Sequence, residues 1–170
     1  GGCSRQAAQR VTGASLPELV TLVNKSLLQY DRTRERYTIH ELLLQYGEDR
    51  LSQDPIVAHE AHEGHCAYYC SLLQRHADTM KGHGQVQALS ELEAEEENIR
   101  LAWRWLVTQR QWQRLFQAEE GLGIYCQLRG RYHLGGAAFA SATAALAGSE
   151  STMEQRLLAK TLAWQGAFAH

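Results

Sequence analysis

The run Leu27-Leu28-Gln29-Tyr30-Asp31-Arg32-Thr33-Arg34-Glu35-Arg36-Tyr37-Thr38-Ile39-His40 decides the reading of the fold. Leu27 to Tyr30 and Arg36 to His40 are short stretches of β type, and the polar residues Asp31 to Glu35 join them. Two such stretches around a polar turn predict a β-hairpin. The period is helical on either side. Ser4 to Val11 reads as a short helix, with Ser4 able to cap its start and Gly13 able to take the left-handed position past its end. Ser15-Leu16-Pro17-Glu18 then opens a second helix with a capping box. Its apolar stripe is Leu16, Leu19, Val20, Val23 and Leu27.

Downstream, a helix from Glu41 to about Ser52 carries Leu42, Leu43, Tyr46 and Leu51 as its expected packing face. Asp54-Pro55 marks the expected domain boundary, because proline starts a helix well and continues one badly. One helix runs from Ile56 to about Met80, until Lys81-Gly82-His83-Gly84 breaks it. Another spans Gln85 to about Gln109, its three-four spacing interrupted at Glu96. Helices follow at about Trp112–Leu128 and Tyr132–Leu146. After a turn at Gly148-Ser149-Glu150, Ser151-Thr152-Met153-Glu154 reads as a capping box for a last helix. The expected fold is mainly α: a small hairpin-bearing module over 1–53, then antiparallel helix pairs over 54–170.

With 44% hydrophobic and 21% charged residues, the 170-residue chain has globular composition. A net charge of −2 exerts no general pull on nucleic acid or anionic lipid. No apolar run approaches the roughly 18 residues of a membrane span. The chain opens on Gly1-Gly2-Cys3 and ends on Ala169-His170 within an apolar helical pattern, so it reads as a piece of a longer cytoplasmic protein. Its four cysteines, Cys3, Cys66, Cys70 and Cys126, lack paired C-x-x-C spacing and read as small hydrophobes in a reducing compartment.

Two segments carry a resemblance. Helix, helix, hairpin, helix is the order of a winged helix that lacks its first helix. Gly1-Gly2-Cys3-Ser4, Leu22-Val23-Asn24-Lys25-Ser26-Leu27-Leu28 and Arg36-Tyr37-Thr38-Ile39-His40-Glu41-Leu42-Leu43 resemble the winged-helix domain that follows the nucleotide-binding module in STAND-class signalling ATPases. Glu97-Asn98-Ile99-Arg100-Leu101-Ala102-Trp103-Arg104-Trp105-Leu106 resembles the helix that opens the tetratricopeptide-type region of bacterial members. Leu122, Gly123, Gly130, Tyr132, Gly135, Phe139 and Ala142 fall at the small-residue, turn and aromatic-plug offsets of one such repeat, although that family prefers alanine at Gly135. A second repeat would begin near Leu157 to Gly166.

In that family a Met-His-Asp-type motif sets its histidine against bound ADP, and Ile39-His40-Glu41 stands at the matching place. The resemblance implies that His40 is an ADP sensor in the intact protein. Imidazole is a short, orientable donor suited to phosphate. The chain has no Gly-x4-Gly-Lys-Ser/Thr phosphate loop, so ATP, ADP and Mg²⁺ would belong to the parent chain. The implied partners are the upstream nucleotide module of the same chain and a protein partner or inducer on the helical repeats.

Other constellations tempt. His59, His62 and His65 with Glu60 and Glu63 miss the His-Glu-x-x-His spacing of zinc proteases. His62 and Cys66 stand one turn apart, but no third ligand is evident, so no metal site is expected. Arg32, Arg34 and Arg36 form a basic cluster at the hairpin tip and are candidate partner contacts. An alternative function is a DNA-binding winged-helix regulator with a helical dimerisation region. The helix that would read bases offers only Glu18, Thr21, Asn24 and Lys25, a poor set for base edges. The run Glu91, Glu93, Glu95, Glu96 and Glu97 reads as a solvated helix face. Trp103, Trp105, Trp112 and Trp164 read as plugs between helices. No order of residues fixes a nucleophile and its base, so no catalytic residue is expected.

Overall fold

The computed structural model describes residues 2–169, which form nine helices and one three-stranded antiparallel sheet. The chain divides into two compact units, one up to Tyr68 and one from Tyr69 onward.

In the first unit, β1 (Cys3–Ser4) leads into α1 (Arg5–Thr12) and α2 (Leu16–Asn24). The hairpin β2 (Gln29–Asp31) and β3 (Arg36–Thr38) follows, then α3 (Glu41–Ser52). The capping signals are realised. The Ser4 hydroxyl accepts the Ala7 N–H at 3.1 Å, and Gly13 takes φ 73° beyond α1. Ser15 and Glu18 form the reciprocal capping box, and the bond to Ser15 lowers the Glu18 pKa. The strands are shorter than the sequence suggests. A left-handed Ser26 (φ 58°) turns the chain before Gln29, so Leu27 and Leu28 stay outside the ladder. β1 pairs with β3, giving the strand order β1-β3-β2. This places Tyr37 in a small core with Ala8 and Leu19, flanked by Cys3, Ala14, Val23 and Leu28. Much of the α2 stripe is not covered: Leu16 and Val20 remain exposed. The expected packing face of α3 is covered only in part: Leu43 and Leu51 are half-buried, Leu42 is 69% exposed, and no residue of that helix is fully buried.

Helix α4 (Pro55–Thr79) is opened by Asp54, whose carboxylate accepts the Ile56 and Val57 N–H groups. Its last turns belong to the second unit. There α5 (Gln85–Ala94), α6 (Glu96–Thr108), α7 (Trp112–Leu128), α8 (Tyr132–Leu146) and α9 (Thr152–Ala167) follow. The expected single helix from Gln85 is two helices, broken at Glu95 (φ −107°, ψ 9°). The final capping box does not form: Ser151 caps α9 through its backbone carbonyl, with no side-chain bond.

Small residues set the spacing of these helices. A Cβ on Gly123 would lie 2.2 Å from the Trp164 ring, and one on Gly135 would lie 2.7 Å from Phe168. Alanine is therefore excluded at Gly135 by its aromatic neighbour. Phe139 is fully buried, meets Trp103 edge-on at 5.2 Å, and stacks with Trp164 and Phe168. Leu122 and Ala142 are buried beside it, whereas Tyr132 is half exposed and touches Phe168 with its ring. A buried carboxylate ties α7 to α9. Glu119 is paired with the Lys160 ammonium and accepts the Trp164 indole N–H at 2.8 Å.

Candidate functional site

His40 lies between β3 and α3 as the N-cap of α3. Its Nδ1 accepts the Leu42 N–H at 3.4 Å. An imidazole that accepts through Nδ1 carries its proton on Nε2 when neutral, which makes Nε2–H its outward donor. The ring is exposed. The cap of α3 thus holds one imidazole donor at a defined junction.

The three hairpin arginines do not act as one cluster. Asp31 organises the turn by accepting the Thr33 and Arg34 N–H groups, and its other oxygen lies 3.9 Å from the Arg34 guanidinium. Arg36 points back into the module and donates to the Gly2 carbonyl at 2.7 Å. Arg32 is exposed on the tip. Arg5 and a shallow groove of Leu16, Val20, Val23, Tyr30 and Tyr37 lie on the same unit, enclosing about 270 Å³.

The acidic run is a solvated face only in part: Glu91, Glu93 and Glu97 are exposed, whereas Glu96 is half-buried and Glu95 is buried. Glu95 is 6% exposed and accepts from the Tyr69 phenol at 3.1 Å and the Asn98 amide at 2.7 Å. Glu93 pairs with Arg129 and Arg131, while Glu96 pairs with Arg131 and accepts the Tyr125 phenol at 2.6 Å. Glu91 meets His76 at 3.0 Å, and Glu97 holds Arg100. Glu91, Glu93, Glu95 and Glu96 act as cross-links because they meet partners from α4, α7 and the turn beyond α7, whereas Glu97 pairs within α6.

Among the described residues, no group of three or more His, Cys, Asp or Glu side chains could hold a metal ion. His59 and His62 sit on the exposed side of α4. Cys66, Cys70 and Cys126 are buried, and burial pushes the Cys70 and Cys126 thiols up to about 12. No described helix is long and apolar enough to cross a membrane.

Searches against protein-family models, curated proteins and solved structures found no match to this chain.

The second unit holds a slot that the sequence does not announce. Ile99 and Trp103 of α6 form one wall, Leu134, Ala137 and Ala138 of α8 form the other, and Leu122 of α7 lies between them. Arg100, Arg104 and Ser141 complete the lining of about 230 Å³. The Trp103 indole donates to the Ala138 carbonyl at 2.9 Å, which fixes that wall. The slot exists because α8 carries alanines where longer side chains would fill the gap. Signals for a missing side chain do not stand out in a sequence already rich in alanine.

Proposed function

We propose that this chain is a non-catalytic control and interaction segment of a STAND-type signal-transduction ATPase. Its first unit is a winged-helix-like module that bears on the nucleotide module of the same protein. Its second unit is a helical-repeat array that senses a partner or inducer. One observation carries the reading: the order β1-α1-α2-β2-β3, with β3 central in the sheet, runs straight into the helix that His40 caps. That order supports reading the unit as a winged helix without its first helix, and the strand-to-helix position of His40 supports reading it as the counterpart of this class's sensor.

In the resting protein His40 would donate from Nε2 to an ADP phosphate while Nδ1 holds the start of α3. Loss of that bond would free the module to move, and the helical array would bias the same equilibrium by binding its effector more tightly in one state. The use of Arg36 within the hairpin module favours this reading over duplex binding by a three-arginine tip.

The test is made on the parent chain. Upstream sequence should contain a phosphate loop, and His40→Ala should speed ADP release at least about tenfold, as expected for losing a hydrogen bond to a charged group. His40→Asp, which can still cap α3 but carries no donor, should release ADP at least as fast as the alanine variant if the donor matters and the cap does not. A parent chain without a phosphate loop, or ADP release unaltered in His40→Ala, would sink the reading.

A further inference from the structure

We infer that the slot between α6 and α8 is a binding site for a small aromatic carboxylate. Its walls are apolar, and Trp103 is held in place by its bond to Ala138 and its edge contact with Phe139, so the shape is set before anything enters. Ligand sites commonly combine apolar walls with a few placed polar groups. An apolar cavity of about 150 Å³ holds benzene. At about 230 Å³, this one has room for a ring with a short tail.

The charge at its mouth specifies the tail. Arg100 and Arg104 stand one turn apart on α6, both lining the slot. Arg100 is engaged by Glu97 through two bonds, at 3.0 and 2.6 Å. Arg104 is exposed; it lies within electrostatic reach of Glu97, whose carboxylate is hydrogen-bonded to Arg100 instead. Its guanidinium is a fork of donors suited to a carboxylate, and it stands beside a surface suited to a ring. The Ser141 hydroxyl donates to the Ala138 carbonyl at 2.7 Å and keeps an acceptor at the slot's edge. A neutral hydrocarbon would gain nothing from the Arg104 guanidinium, and an extended peptide would need a longer channel than one ring's room.

Binding at the slot depends on the second unit alone. That such an acid serves as the inducer rests on the reading proposed above.

The experiment is an amide and indole N–H NMR titration of the whole 170-residue chain with 3-phenylpropionate, and in parallel with uncharged 3-phenylpropanamide. The expected result is saturable shifts at the Trp103 indole and the Leu134, Ala137, Ala138 and Ser141 amides. The acid should bind about tenfold tighter than the amide, the increment of one charge-assisted pair. Arg104→Gln should remove that preference and leave amide binding unchanged. Ala137→Leu, at an exposed lining position, should weaken both ligands, and an unaltered amide spectrum elsewhere would establish that it folds. Equal binding of acid and amide, shifts centred away from these residues, or full acid preference in Arg104→Gln would overturn the inference. None of those results bears on ADP release by His40 variants, so the two proposals fail separately.

Discussion

The Tyr69 phenol donates a 3.1 Å hydrogen bond to the buried carboxylate of Glu95, tying α4 to the joint between α5 and α6. A carboxylate removed from water needs its donors, and each one lost costs part of its desolvation. Tyr69→Phe should therefore lower stability by about 1–2 kcal/mol. Urea unfolding followed by far-UV circular dichroism measures it. An unchanged midpoint would mean that this bond does not hold the joint.

The link between Glu119 and Lys160 makes a second case. Glu119 is 1% exposed, whereas the Lys160 side chain is nearly half exposed, so solvent already screens part of the pair. Lys160→Met should cost about 2 kcal/mol, less than the loss of a fully buried partner, because the carboxylate keeps the Trp164 donor. Adding Glu119→Gln to Lys160→Met should recover part of that loss, since the amide carries no charge to strand. A double-mutant cycle reads the coupling.

Gly123 should reject even a methyl group. Alanine is the better helix former by about 1 kcal/mol, yet its Cβ would run into the Trp164 ring, whose indole N–H is held by Glu119. Gly123→Ala should be destabilising by about 1–3 kcal/mol, as overpacked cores are. It should also alter tryptophan emission in the native state. A stabilised variant would show that α9 moves aside without cost.

Alkaline pH should unfold the protein through its thiols. Cys70 and Cys126 are raised from an ordinary 9.0 to about 12, chiefly by burial. Between those values the unfolded chain releases protons that the folded chain keeps. Stability is then fully present below pH 9 and falls as pH rises toward 12. Tyr125 adds to the fall, because burial and then its bond to Glu96 raise its phenol above the usual range. Thermal melts across this window should drop steadily, and less steeply in a Cys70→Ala, Cys126→Ala variant.

Local signals in the sequence translated directly into structure. Ser4, Gly13, Ser15 with Glu18, and Pro55 act within a turn of themselves, and each stands at the helix end it predicted. The hairpin was legible for the same reason. β1 was not, because a two-residue strand has no period and owes its existence to β3 more than thirty residues away. Distance also hid the acidic run's role: Glu93 and Glu96 find Arg129 and Arg131 across the helix fold, and sequence neighbours give no hint of that. The junction position of His40 could be read from its neighbours, but its use as a cap through Nδ1 could not. Arg32 and Arg34 lie in the turn and Arg36 opens β3, so closeness in sequence does not bring them to one patch: Arg36 turns to the Gly2 carbonyl while Arg32 and Arg34 stay exposed. The slot was hidden most completely, since its shape comes from atoms that Ala137 and Ala138 lack.

Helix α3 has twelve residues and buries none of them. Isolated helices of that length are marginal in water, so its hydrogen bonds open and close without waiting for either core to melt. Trypsin requires such local opening, and Arg50 lies in the last turn of this helix. A brief digestion should nick the chain there first and release two fragments, 1–50 and 51–170, the larger keeping its tryptophan fluorescence and its resistance to further cutting.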